Sequence, residues 1–140
     1  MLLMKTRYAL MALSKLAKEF GKGAILIGDI AAEEKVPQRF LENILQELKK
    51  IGIVGSKRGK AGGYFLKKNP EEITLLEVIQ YLEGSIGLLY CISEKQYQPC
   101  EFCKNEETCN IREAFRKVRD YSLQIFGSTT FADLSNNCNR

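Results

Sequence analysis

The chain has 140 residues, enough for one domain with an extension. Its hydrophobic fraction of 45% suits a globular core, and its net charge of +4 permits a nucleic-acid partner without demanding one. There is no histidine, no glycine-rich phosphate loop and no apolar run of transmembrane length. These absences exclude Ser-His and Cys-His catalysis and histidine metal ligation, and they lead us to expect a cytoplasmic protein that is not an enzyme and has no membrane partner.

The apolar start, Met1-Leu2-Leu3-Met4-Lys5, is too short for a signal peptide. Residues 6–20 read as a first helix. Ala9, Leu13, Leu16, Ala17 and Phe20 keep the apolar period, and Gly21 follows as a stop. Lys5 and Arg7 stand at its start, where a cation opposes the helix dipole. Contact with phosphate is one reading of them, and a solvated N-terminus is the other. Residues 24–27 are β-like. Asp29 is expected to cap a short helix over 30–34, with Ile30, Ala31 and Val36 packing on the helix that follows. The break at 35–37 is the turn of a helix-turn-helix.

Residues 37–64 organise the rest. A helix is expected from 37 to 51, with Pro37 in its first turn. Leu41, Ile44, Leu45, Leu48 and Ile51 form an apolar face. Gln38, Arg39, Glu42, Asn43 and Gln46 form a second stripe, of side-chain types that pair with base edges and phosphates. An ordinary amphipathic helix with a solvated face has the same pattern. The preceding short helix and the basic hairpin that follows favour entry into a groove. Gly52 stops the helix and residues 53–57 form a strand. Residues 58–63 are a glycine-rich turn with two cations, and 64–67 return as a second strand. Lys57, Arg58, Lys60, Gly62, Gly63 and Tyr64 make up this wing, expected on the DNA backbone or minor groove while the helix occupies the major groove.

Asn69-Pro70 is a turn signal, and Thr74 with Glu77 forms a capping box that starts a helix through about residue 82. Leu75, Val78, Ile79 and Leu82 are its apolar side, and Glu83-Gly84 ends it. From Asn110 the chain is helical again. Ile111, Phe115, Val118, Ser122 and Ile125 give a narrow seam suited to pairing with a second copy, the alternative being that it folds back on the first helix. Gly127 is expected to end this helix, and Thr129 or Thr130 to cap a last turn over 131–134. The tail from 136 to 140, with Cys138, reads as frayed. The expected fold is mainly α with a small β-hairpin. It comprises a winged helix-turn-helix over 1–84, a cysteine-rich sensory loop over 85–109, and a dimerisation helix and tail over 110–140.

Four of the five cysteines, Cys91, Cys100, Cys103 and Cys109, fall in that loop. In a reducing compartment such clustering points to metal or redox chemistry more than to structural disulfides. Thiolates are soft ligands, favoured by iron–sulfur clusters and zinc. Only Cys100 and Cys103 form a tight pair, whereas zinc sites usually have two such pairs. An iron–sulfur cluster tolerates the wider spacing, and thiol–disulfide switching is a third option. Lys95, Lys104 and Arg112 are close enough in sequence to lower thiol pKa values or offset a cluster's negative charge. Cys138 reads as a bystander.

Several stretches carry a resemblance. They are Lys5-Thr6-Arg7-Tyr8-Ala9-Leu10, Arg39-Phe40-Leu41-Glu42 and Lys57-Arg58-Gly59-Lys60-Ala61-Gly62-Gly63-Tyr64. Ile73-Thr74 leading to Val78-Ile79 and Leu82-Glu83-Gly84, and Ser128-Thr129-Thr130 before Leu134, complete the set. In these the chain resembles the IscR/NsrR/CymR family of winged-helix regulators, the Rrf-two superfamily, over nearly its whole length. The wing motif is the most specific part. The resemblance implies a homodimeric transcription factor, usually a repressor, bound to a two-fold symmetric operator in double-stranded DNA. The long C-terminal helix makes the dimer. In the cluster-bearing branches, three cysteines of this loop hold a 2Fe–2S or related cluster, and by position these are Cys91, Cys103 and Cys109. Cys100 is extra.

The IscR branch places a histidine ligand where this chain has Arg112, and the nitric-oxide-sensing branch uses an aspartate where it has Arg7. With neither ligand present, Cys100 is the candidate fourth ligand and Glu101 a weaker one. All-thiolate ligation implies a lower reduction potential than a site with imidazole. The glutamate matching Glu42 influences operator choice in IscR, which implies a selectivity role for Glu42. A thiol- or zinc-based redox protein that merely uses the winged-helix scaffold is the alternative of a different class.

Overall fold

In the computed structural model, which describes residues 2–137, six α-helices and one antiparallel hairpin follow one another along the chain. Helix α1, Met4–Lys18, begins two residues earlier than its apolar period suggests. It buries Ala9, Ala12, Leu13, Leu16 and Ala17. Helix α2, Ile27–Glu34, also begins early. Leu26, not Asp29, is its N-cap, because the Leu26 carbonyl already accepts from the Asp29 and Ile30 amides at 3.0 and 3.2 Å. Asp29 instead sits in the first turn, where its charge suits the helix dipole. The expected β-like run at 24–27 reduces to a single bridge, with Ile25 and Tyr64 exchanging backbone hydrogen bonds of 2.8 Å.

Lys35 takes a left-handed conformation, φ 55°, and turns the chain into α3, Gln38–Lys50. Pro37 stands one residue ahead of that helix, as its N-cap, and its carbonyl accepts from Phe40 and Leu41. Strands β1, Val54–Lys57, and β2, Gly63–Leu66, pair in the register Val54↔Leu66 to Lys57↔Gly63. After a 3-10 turn, Pro70–Glu72, comes α4, Leu75–Glu83, whose cap is half of the expected box. Thr74 Oγ1 accepts the Glu77 amide at 3.1 Å, but the Glu77 carboxylate is drawn away to Lys68 Nζ at 3.3 Å.

Helix α5, Asn110–Ser128, packs along α4 and not along α1. Gly127 does not end it. The helix passes through Gly127, where a Cβ would stand 3.4 Å from Leu76 Cδ2. It stops at Thr129, which turns extended so that its carbonyl accepts the Leu75 amide at 2.8 Å. Helix α6, Phe131–Asn137, is longer than the expected turn. Thr130 and Asp133 cap it reciprocally, at 3.2 and 3.0 Å. Its Phe131 is fully buried, and α6 lies on α1. Cys138 lies outside the described residues. Helices α1 to α4 and α6 thus share one core, which includes Leu13, Leu41, Leu45, Leu48, Val78 and Phe131. The whole is a winged helix-turn-helix with a long helix leaving it.

Candidate nucleic-acid interface and cysteine cavity

The polar face of α3 exists because Leu41, Ile44, Leu45 and Leu48 all point inward, each no more than 2% exposed. At about 100° per residue this leaves Arg39, Asn43 and Gln46 at the middle of the outward face. Gln38 and Glu42 lie toward the wing, and Phe40 and Glu47 toward α1. Gln38, Arg39, Glu42, Asn43 and Gln46 are all exposed. Side-chain contacts also join the helix to its neighbours. Gln46 Nε2 donates to Tyr64 OH at 3.0 Å, linking α3 to β2, and Lys5 Nζ pairs with the Glu47 carboxylate at 3.1 Å, linking α1 to α3. Arg7 is exposed at the start of α1, and its guanidinium donates to Met4 Sδ at 3.8 Å.

On the wing, Lys57, Arg58 and Lys60 are exposed and form no ion pair among the described residues, and neither does Arg39. Gly62 is buried, and a Cβ there would collide with the Lys57 and Gly59 carbonyls. Gly63 has φ 137°, and its Cβ would strike the Ile25 carbonyl. Both glycines are therefore required by the turn and by the Ile25–Tyr64 bridge. The sequence reading left out one residue of this surface. Phe40 is 55% exposed, with its ring centroid 6.5 Å from that of Tyr8. Its place on the helical wheel, beside the polar stripe and off the core stripe, was the available signal.

The second site is a cavity of about 640 Å³ between the 3-10 turn Tyr90–Ile92, the loop that follows it and the first turn of α5. All four expected cysteines line it. Cys91 is buried in the 3-10 turn. Cys100 and Cys103 are joined by a turn in which the Cys103 amide donates to the Cys100 carbonyl at 3.3 Å. Cys109 is the N-cap of α5, its Sγ accepting the Arg112 amide at 3.4 Å. That amide, helped by a hydrogen bond from the Cys103 thiol, holds the Cys109 pKa below the usual thiol value. Partial burial pushes Cys103 up.

Arg112 and Lys104 line the cavity, whereas Lys95 faces a separate recess near Gly84 and Arg119. Arg112 Nε donates to the Cys91 carbonyl at 3.3 Å, and Arg119 Nη1 to the Ile92 carbonyl at 2.6 Å. Neither contact is visible in the sequence, because each spans more than twenty residues. Tyr97 OH donates to Glu106 at 2.6 Å and closes the loop, and this bond raises the tyrosine pKa.

Among the described residues, no three cysteine or carboxylate groups converge on a point that would hold one ion. The donors are soft and share the wall of a space several atoms wide, beside Leu89 and Ile111. Such soft donors are ligands for an iron–sulfur group or zinc.

Residues 2–137 match the family profile described as Rrf2, iron-dependent transcriptional regulator. An rrf2-like HTH-type transcriptional regulator of Rhodobacter capsulatus is 40% identical over 96% of this chain and 91% of its own length. The HTH-type transcriptional regulator IscR of Pectobacterium atrosepticum is 30% identical over 95% of this chain and 77% of its own. The solved structure of CymR, the global cysteine regulator of Bacillus subtilis, superposes with a TM-score of 0.83 at 29% identity, covering 99% of this chain and 98% of that one.

Proposed function

This chain belongs to the Rrf2 family of transcriptional regulators, and from that premise we propose that it is a homodimeric, cytoplasmic repressor whose hold on a two-fold symmetric operator follows the state of its cysteine cavity. Residues 1–84 carry the DNA contacts, 85–109 the sensing, and 110–140 the pairing helix and tail. Arg39, Glu42 and Asn43 meet base edges in the major groove, and Gln38 meets its rim. Gln46 and Tyr64 brace α3 against the wing, and Gly62 and Gly63 give the wing its shape. Lys5, Arg7, Lys57, Arg58 and Lys60 meet phosphates or the minor groove. A second copy covers the stripe of α5 that holds Ile111, Val118 and Ile125, which are 66%, 52% and 48% exposed in one chain.

Cys91, Cys103 and Cys109, with Cys100 as fourth ligand, would hold an iron–sulfur cluster of the 2Fe–2S type. When bound, such a cluster supplies one-electron redox chemistry. One observation carries the regulatory part. Arg112 touches both Cys91, through its guanidinium, and Cys109, through its amide, and so ties two candidate ligands to the first turn of α5. The far end of the same helix is joined to α4 at Gly127 and Thr129. A rearrangement of the thiols thus has a rigid element to act on, and that element ends in the DNA-binding half.

The test is to purify the protein anaerobically, record its absorbance spectrum and iron and sulfide content, and compare operator affinity before and after removing the iron. A change of about tenfold or more supports the proposal, and equal affinities of the loaded and stripped forms contradict it. The hydrogen-bonded Cys103–Cys109 pair favours a second reading, in which the thiols themselves form a reversible disulfide. Intact mass and differential alkylation of the iron-free protein, before and after mild oxidation, separate the two.

A further inference from the structure

We infer that Phe40, backed by Tyr8, reads the methyl group of a thymine in the operator. The inference rests on the DNA-binding reading of α3 and extends it to the identity of one base. Phe40 is the third residue of α3, in the turn from which a recognition helix reaches base edges. Its ring is 55% exposed although the core positions of that helix are filled by Leu41, Ile44, Leu45 and Leu48. The ring is not loose: Tyr8, half-buried against the core from α1, stands 6.5 Å away with its plane inclined by 30°. Arg39 precedes it without an ion pair among the described residues. A pre-positioned apolar surface, next to an arginine on the face that meets base edges, fits one feature of duplex DNA. In the major groove, thymine alone among the four bases presents a methyl group.

The experiment uses the full chain and a duplex that the protein itself selects from a randomised pool. Each thymine of the selected duplex is replaced in turn by deoxyuridine, which removes the methyl and leaves base pairing intact. Binding is read by fluorescence anisotropy for the wild type, Phe40→Ala and Phe40→Leu. At one thymine per half-site the wild type should lose about fourfold in affinity, the value of one buried methyl group. Phe40→Ala should bind the thymine duplex more weakly and show no further loss with uracil there, while Phe40→Leu keeps part of the discrimination. Uracil tolerated at every position by a wild type that binds its duplex selectively overturns this inference and leaves the DNA-binding reading standing. The same uracil penalty in Phe40→Ala overturns it as well. Failure to select any duplex overturns both. The uracil series on the wild type decides the matter even if Phe40→Ala folds poorly.

Discussion

Residues 4–83 and residues 85–109 are neighbours in sequence held by different interactions. In the first stretch, Leu13, Leu41, Leu45, Leu48, Ile73 and Val78 are completely buried, and the polar face of α3 takes its position from that packing. In the second, only Cys91, Ile92 and Ser93 are buried. The rest is held by polar contacts such as Ser93–Ser85 at 2.8 Å, Tyr97–Glu106 at 2.6 Å and the guanidinium groups of Arg112 and Arg119. Close packing resists small displacements, whereas a segment with little apolar burial, held by a few polar contacts, opens at lower cost. The contrast leaves α3 held by packing beside a segment that opens at lower cost.

The sharpest way to break this comparison is to truncate one phenylalanine on each side. Phe131→Ala should cost about 3–5 kcal/mol, because the ring is fully buried beneath α1. Phe102→Ala should change stability by no more than about 0.5 kcal/mol, since that ring is 92% exposed. Urea unfolding of both variants measures the difference, and equal losses would erase the distinction. Next in size is Gly63→Ala. The new Cβ meets the Ile25 carbonyl at a positive φ, so the wing must shift, at a cost of about 1–3 kcal/mol. Operator affinity should fall while the helical circular-dichroism signal is retained.

Arg58→Ala and Lys60→Ala should each lower operator affinity and reduce the slope of log Kd against log salt by about 1, with little change in stability. A smaller effect probes the other region. In iron-free protein, Cys109 should alkylate with a pH midpoint below that of Cys103. Its depressed pKa leaves more thiolate at any given pH, while burial holds Cys103 protonated to higher pH. Peptide mass spectrometry across a pH series reads the order. The smallest change in affinity is expected for Glu42→Ala. It should leave binding of the preferred duplex nearly intact while widening the sequences tolerated, as scored by binding to singly mutated duplexes.

Much of the fold was legible because apolar residues recur at helical spacing in α1, α3, α4 and α5. The departures turn on particular partners. Helix α2 starts early at Leu26, beside Ile25, which pairs with the distant Tyr64, and Glu77 left its capping box for Lys68. Gly127 stayed helical because the chain breaks instead at Thr129, where it pairs with Leu75. The Ile25–Tyr64 and Leu75–Thr129 pairings join residues far apart along the chain, which no local pattern contains. The grouping of the four cysteines was legible from their spacing alone. The grip of Arg112 and Arg119 on the Tyr90–Ile92 turn was not, since only the packing of α5 brings those residues together. Phe40 was legible as a member of α3 lying off its core stripe, but its place beside the Tyr8 ring was not.

The central claim is that the outward face of α3 enters a duplex groove, and competition binding tests it most directly. The purified chain, iron-loaded and iron-free, is titrated with the duplex it selects and with random competitor of the same length at fixed salt. The account predicts a preference of about a thousandfold or more for the selected duplex in at least one state, lost when Arg39 and Asn43 are replaced by alanine. No preference in either state, or a preference that survives the double substitution, would contradict it.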